Sequence, residues 1–289
     1  MLSRLAVLHQ YLLPKQTLTM LAGKLASARA GWLTTAVIRW FVRHYNVNMQ
    51  EANEPSIDKY STFNDFFTRS LRADARPQAA ADFICPIDGA VSQLGRIQDN
   101  QIFQAKGHFY STEDLLGGDS ALAAKFQDGD FVTLYLSPKD YHRVHMPCAG
   151  KLKRMTHVPG ALFSVNPLTA RGVPKLFARN ERVICEFESA PNGSFVLVLV
   201  GATIVGSMAT VWHGVVNPPR PGRVRTWEYP DQNIDLEKGQ EMGRFLLGST
   251  VVMLFPKNTL DFIPEWKPLR TVWQGEMMAR KRDSGGVDH

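Results

Sequence analysis

Residues 189–217, SAPNGSFVLVLVGATIVGSMATVWHGVVN, decide the fold. The stretch carries no Asp, Glu, Lys or Arg, and it is long enough to invite a membrane-spanning reading, which needs about 20 mostly apolar residues. Two features point to strands instead. Residues 195–200 are a β-branched run, and Gly201, Gly206, His213 and Gly214 interrupt the apolar residues beyond it. We read strand–turn–strand in a buried sheet and expect no spanning helix.

The same texture recurs on both sides. Short apolar runs at 90–97, 131–136, 151–155, 182–188, 195–200 and 250–255 predict strands, so the β-rich part extends from about 84 to 256. Ser111-Thr-Glu-Asp114 predicts one helical insertion, opened by its hydroxyl cap. The connector at 72–85 is rich in Ala, Arg and Pro, and the basic run from Arg280 reads as a frayed tail.

The N-terminal piece is different. Of 289 residues, 33 are Lys or Arg and 27 are Asp or Glu, a net charge of +6. Residues 1–50 hold Arg4, Lys15, Lys24, Arg29, Arg39 and Arg43 with no acid before Glu51, so the remainder is neutral. A protein that coats nucleic acid would be basic throughout, and this one is not. Leu18, Leu21, Ala22 and Leu25 fall on one helical face, as do Trp32, Leu33, Ala36, Val37, Trp40 and Phe41, with Pro14 and Gly31 as breaks. Basic residues beside a Trp/Phe/Leu face suit a helix lying in a membrane interface, and equally a helical subdomain packed on the rest of the chain. Ser61 or Thr62 caps a further short helix through Phe66-Phe-Thr-Arg69. The fold class is therefore α+β: a helical N-terminal region, residues 1–70, and a β-rich, barrel- or sandwich-like core, residues 71–289. Cys85, Cys148 and Cys185 are odd in number and far apart, which fits packed thiols in a reducing compartment better than a disulfide scaffold or zinc site.

Three places could carry chemistry. Asp88-Gly89 alone is an ordinary turn. In the run 135–147, His142 and His145 lie three apart, but Pro138 and Pro147 bracket them and no Cys or Glu cluster completes a metal site, so we expect none. An edge loop presenting imidazoles fits better. Leu247-Gly248-Ser249-Thr250 precedes an apolar strand. Asp88, His145 and Ser249 are together the residue types of a nucleophilic triad. Ser249 lacks the Gly-x-Ser-x-Gly elbow of esterases, because Leu247 and Val251 occupy the glycine positions. Gly248 suits a strained turn in which a serine attacks its own preceding carbonyl.

With those residues in hand, the sequence resembles the bacterial, membrane-associated phosphatidylserine decarboxylases. The resemblance runs through Phe66-Phe-Thr-Arg69, Pro86-Ile-Asp-Gly89, Tyr141-His-Arg-Val-His-Met-Pro147, Asn180-Glu-Arg182, Gly201-Ala202, Val205-Gly-Ser207, Lys238-Gly239 and Leu247-Gly-Ser-Thr250. It implies a precursor that cuts itself between Gly248 and Ser249, with His145 as base and Asp88 orienting the imidazole. An N→O acyl shift and β-elimination would leave a pyruvoyl group from Ser249 on a small α chain, 249–289, beside a β chain, 1–248. The pyruvoyl carbonyl would form a Schiff base with the substrate amine and act as electron sink, yielding phosphatidylethanolamine and CO₂. Pyridoxal phosphate is the rival sink, and no glycine-rich phosphate turn near a lysine supports it. His142 is the candidate proton donor. A lipid substrate shifts weight to the interfacial reading of residues 1–50: peripheral attachment to an anionic surface, on the cytoplasmic side of the cell membrane. A homodimer of processed units is compatible with the sequence. A non-catalytic lipid-binding protein and a lipid-ester serine hydrolase are the alternatives.

Overall fold

The computed structural model describes residues 7–282 except 9, 12, 191, 204–206, 221, 230–231 and 247–249. All six strands expected from the sequence lie side by side in one nine-stranded sheet. Its path runs Arg225–Glu228, Gly150–Val158, Arg182–Ser189, Gly193–Val200, Thr250–Phe255, Asp130–Tyr135, Gly89–Arg96 and Thr271–Val272, with Asp235–Leu236 also paired to Gly150–Val158. Every pairing is antiparallel. The path ends on two unjoined edges, so the sheet is open and a closed barrel is not formed. Thr250–Phe255 is buried along its whole length between Gly193–Val200 and Asp130–Tyr135. A strand covered on both faces reads as an unbroken apolar run, and Val251, Val252, Met253, Leu254 and Phe255 are such a run.

The uncharged stretch is resolved as expected. Gly193–Val200 is a strand, and Met208–Thr210 with Gly214–Asn217 forms a second antiparallel pair. Among the described residues no helix is long and apolar enough to cross a membrane. This second pair belongs to a four-stranded sheet in the order Gly214–Asn217, Met208–Thr210, Glu241–Phe245, Arg143–His145. The histidine segment is its edge strand. The expected limits of the β-rich part need extending. Met277–Lys281 is the middle strand of a third sheet, between Phe83–Ile84 and Leu260–Phe262, so Arg280 and Lys281 are paired residues rather than tail. The three cysteines are free and buried.

Ahead of the sheets come α1 (Lys15–Ala26), α2 (Trp32–Tyr45) and α3 (Phe63–Phe67). α2 ends where Asn46 takes the left-handed conformation, with Arg43 and His44 complementing the carbonyl end of its dipole. Thr62 and Asp65 form a reciprocal capping box on α3. α2 packs on α3 through Phe41, whose ring meets Phe63, Phe66 and Phe67 edge-on at 5.1, 5.8 and 6.1 Å. Such pairs contribute about 0.5–1.5 kcal/mol each beyond area burial. The rest of the apolar stripe faces outward: Leu25 is 68%, Trp32 76% and Trp40 58% exposed. Leu25 and Trp40 line an apolar groove of about 690 Å³, with Val37 beside them on the helices and Phe41, Phe63 and Phe67 beneath.

Candidate active site

Three chain segments meet at the edge strand. The His145 amide donates to the Pro86 carbonyl at 2.9 Å, which sets Pro86-Ile-Asp88 beside it. The Phe245 amide donates to the His142 carbonyl at 3.0 Å, which brings the approach to Thr250 alongside. Leu247, Gly248 and Ser249, the expected cleavage residues, lie outside the described residues, between Leu246 and the central strand.

The tautomer of His145 follows from its partners. Nδ1 lies 2.8 Å from the Gly239 carbonyl oxygen, which can only accept, so Nδ1 carries the proton. Nε2 then holds a lone pair and accepts from the Tyr141 hydroxyl at 3.0 Å. Burial lowers the His145 pKa, with Arg143 adding to the shift and the Gly239 bond, Glu241 and Asp88 opposing it. The ring is a neutral base. Gly239 can present its carbonyl this way because it sits at φ +79°, where a side chain would also collide with Gln78.

Asp88 is placed differently from the expectation. Its carboxylate, 2% exposed, accepts from Arg76 Nε at 3.0 and 3.1 Å, from Arg76 Nη2 at 2.7 Å and from the Gln274 amide at 2.8 Å. Arg76 Nη2 also reaches Glu51 at 2.7 Å. Among the described residues no hydrogen bond links Asp88 to the imidazole. The Gly239 carbonyl fills that position, and the Asp88 charge acts on His145 through space. Arg76 lies in the connector at 72–85 and was missed, because nothing local in the sequence announces partners 12 and 25 residues away.

His142 is fully buried. Nδ1 donates to the Asp140 carbonyl at 2.7 Å, Nε2 has no partner, and the Phe67 ring lies 4.0 Å away. Burial above all, and the Arg69 charge in addition, push its pKa down to about 3 against the hydrogen bond to Asp140. It is therefore neutral, with an unused lone pair. The Thr250 hydroxyl is likewise buried and unpartnered. Unmet polar atoms are costly in a folded interior, so these two mark a place built for polar contacts.

The Asn180-Glu-Arg182 motif proves to be scaffolding. The Asn180 amide donates to the carbonyls of Phe163 and Gly201, both at 2.8 Å. Glu181 joins Arg220 at 2.8 Å and His157 at 2.9 Å. Together they fix the turn after Gly193–Val200. Among the described residues no group of three or more His, Cys, Asp or Glu side chains is placed to hold a metal ion.

The site has the features of an enzyme: a half-buried neutral imidazole held in one tautomer on an edge strand, where three chain segments meet. Comparison with known proteins gives the particular kind. A family model described as phosphatidylserine decarboxylase matches residues 63–280, and a second, described as PSD, matches residues 5–46. The phosphatidylserine decarboxylase proenzyme of Dechloromonas aromatica (strain RCB) is 72% identical over 278 residues, covering 96% of this chain and 98% of that protein. The proenzymes of Albidiferax ferrireducens and Azoarcus sp. (strain BH72) are each 67% identical, over 281 and 278 residues, covering 97% and 96% of this chain and 99% and 96% of theirs. The chain belongs to the phosphatidylserine decarboxylase family.

Proposed function

We propose that this chain is a self-processing proenzyme that decarboxylates phosphatidylserine to phosphatidylethanolamine. The observation that carries the reading is His145, whose Nδ1 proton is fixed on Gly239 so that Nε2 is the basic nitrogen. In the first reaction Nε2 takes the Ser249 hydroxyl proton as Oγ attacks the Gly248 carbonyl carbon. The C–N bond breaks, an ester forms and the Ser249 nitrogen is freed. Loss of the Ser249 Cα proton then expels the Gly248 carboxylate, leaving dehydroalanine, which water converts to a pyruvoyl group and ammonia. Asp88 is a positioning residue through its charge, and the Tyr141 hydroxyl, which holds the Nε2 lone pair at rest, must release it before Nε2 takes the Ser249 proton. General-base assistance is typically worth about 10²–10⁴ in rate, enough for a step that occurs once per molecule.

The orphaned Nε2 of His142 and the Thr250 hydroxyl fit a polar group at position 249. A pyruvoyl carbonyl there supplies the electron sink for the C–C bond broken when CO₂ leaves. His142 has a specific part. Being neutral at rest, it cannot begin as an acid. Its role as the donor that returns a proton to the carbon that lost CO₂ requires Nε2 to be protonated in the substrate-loaded site. The groove along α1 and α2 suits acyl chains, and the exposed Leu25, Trp32 and Trp40 with their basic neighbours suit peripheral attachment to an anionic membrane surface.

Intact mass of the purified protein tests the reading. Two chains, with the smaller below its sequence mass by the serine-to-pyruvoyl change, are expected. Ser249→Ala should remain one chain and release no CO₂. A single unmodified chain in the parent protein, or a cleaved and active Ser249→Ala variant, would overturn it.

A further inference from the structure

Two arginines are buried without a carboxylate partner, and they are treated differently. Arg182, 3% exposed, is satisfied by backbone: Nε donates to Leu115 O at 2.6 Å, Nη1 to Asn180 O at 2.9 Å and Nη2 to Asp114 O at 2.6 Å. That is what a purely structural buried guanidinium requires. Arg69, 5% exposed, makes one long bond, Nη2 to Lys139 O at 3.3 Å. Its Nε and Nη1 have no acceptor, although its charge lies over the Phe66 ring at 5.3 Å. Among the described residues no carboxylate lies within ion-pairing distance of it.

Arg69 follows α3 directly and borders the site. It bonds the Lys139 carbonyl while His142 bonds the next carbonyl, Asp140. The Arg143 guanidinium, on the edge strand, donates to Thr68 O at 2.9 Å and locks the two segments together. Arg69 and His142, with its unpartnered Nε2, are thus neighbours in one interior region, and Phe67, against His142, also lines the apolar groove. An unsatisfied guanidinium in a dry interior is destabilising, so a fold that keeps one needs an anion to arrive.

We infer that Arg69 is a substrate-binding residue whose Nε and Nη1 receive an anionic oxygen of the lipid headgroup. The inference rests on the decarboxylase reading and deepens it. Both the phosphodiester and the carboxylate carry such oxygens. The phosphorus is four bonds from the headgroup nitrogen and the carboxyl carbon two, so both fall within roughly 5 Å of the reacting centre at ordinary bond lengths. Two charge-assisted bonds to the planar fork give direction as well as affinity.

The test uses the processed enzyme with Arg69→Met and Arg69→Lys. Methionine removes the orphaned donors at similar volume. It should leave two chains on a denaturing gel and a ligand-free melting temperature equal to or above that of the parent, while raising KM for phosphatidylserine in mixed micelles at least about tenfold, or 1.4 kcal/mol. Lysine keeps the charge without the fork and should raise KM by less. The product tells the two oxygens apart. Weaker inhibition by phosphatidylethanolamine, by the same factor, assigns the phosphodiester; unchanged inhibition with a raised KM for phosphatidylserine assigns the carboxylate. A lowered melting temperature with parental KM would make Arg69 structural and overturn the inference. If Arg69→Met does not fold, parental KM and parental product inhibition in Arg69→Lys would overturn it. Failure of the decarboxylase reading looks different: the parent protein itself would stay one chain and release no CO₂.

Discussion

The neutrality of His142 can be tested through stability. Folded, its pKa is about 3; unfolded, it returns to the ordinary 6.5. The unfolded chain therefore binds a proton first as pH falls. The stability contributed by the neutral ring is complete above about pH 6.5, declines through the acid range and is fully lost below about pH 3. The whole span is worth roughly 5 kcal/mol at most, and the part between pH 6 and pH 4 about 2.5 kcal/mol, near the limiting slope of ~1.4 kcal/mol per pH unit. Other groups overlap this window. His145 and His213, also lowered by burial, act in the same direction, whereas Asp130, raised by burial to about 6, acts in the opposite one. A difference measurement removes them. We would make His142→Phe in the Ser249→Ala background, so that one chain unfolds, and measure urea denaturation at pH 4, 5, 6 and 7. Phenylalanine loses the bond to Asp140 O, a cost that does not vary with pH. The variant should therefore gain about 2.5 kcal/mol on its parent between pH 6 and pH 4. A pH-independent difference would mean that His142 is not held neutral by burial.

The other expectations concern separate steps. His145→Ala should abolish chain cleavage, whereas His142→Ala should cleave and then release CO₂ slowly; full turnover by cleaved His142→Ala would remove it from the chemistry. Arg76→Met strands the buried Asp88 with only the Gln274 amide and should destabilise by about 3–5 kcal/mol in urea titrations, with Asp88→Asn added in the same chain recovering part of the loss. No recovery would mean that Arg76 is not there to hold the Asp88 charge. Trp40→Asp should weaken sedimentation with anionic vesicles and leave the melting temperature within about 2 °C, because the ring is mostly exposed; unchanged sedimentation would argue against the outward face as the attachment surface.

How much of this was legible depends on the range of each interaction. The six long strands were readable because runs of five or more residues, apolar or alternating and set off by turn residues, impose their pattern locally. The strand Arg143–His145, expected as an edge loop, was not, since three residues carry too little periodicity to register. Met277–Lys281 was hidden by its charged end, which pairs in the sheet through backbone alone. At the site, the histidines and Asp88 were legible as chemical types, and their arrangement was not. The group that orients His145 is a backbone carbonyl, which every residue possesses; only the positive φ of Gly239 distinguishes it. The helical stripe was legible as a period, but a period of 3.6 is the same whether a face is covered or bare. Its outward exposure is information only the packed structure supplies.

The contacts between the N-terminal helices and the site then acquire a common sense. Glu51, the first acid in the chain, reaches the Asp88 carboxylate through Arg76, and α3 delivers Phe67 to His142 and Arg69 to the same interior region. Phe41, on the inner side of α2, packs on α3, while Trp40 beside it is mostly exposed. Both line the apolar groove, so one helix joins the groove to the exposed apolar surface. A lipid crossing from that surface into the groove would keep its chains in apolar surroundings and expose only its headgroup to polar groups. Those groups are the unsatisfied ones: His142 Nε2, the Thr250 hydroxyl and two donors of Arg69. A protein that merely stored lipid would have no reason to leave a base and a guanidinium unpaired in the interior beside Phe67, which lines the groove. An enzyme that must bind an anionic headgroup and move a proton does.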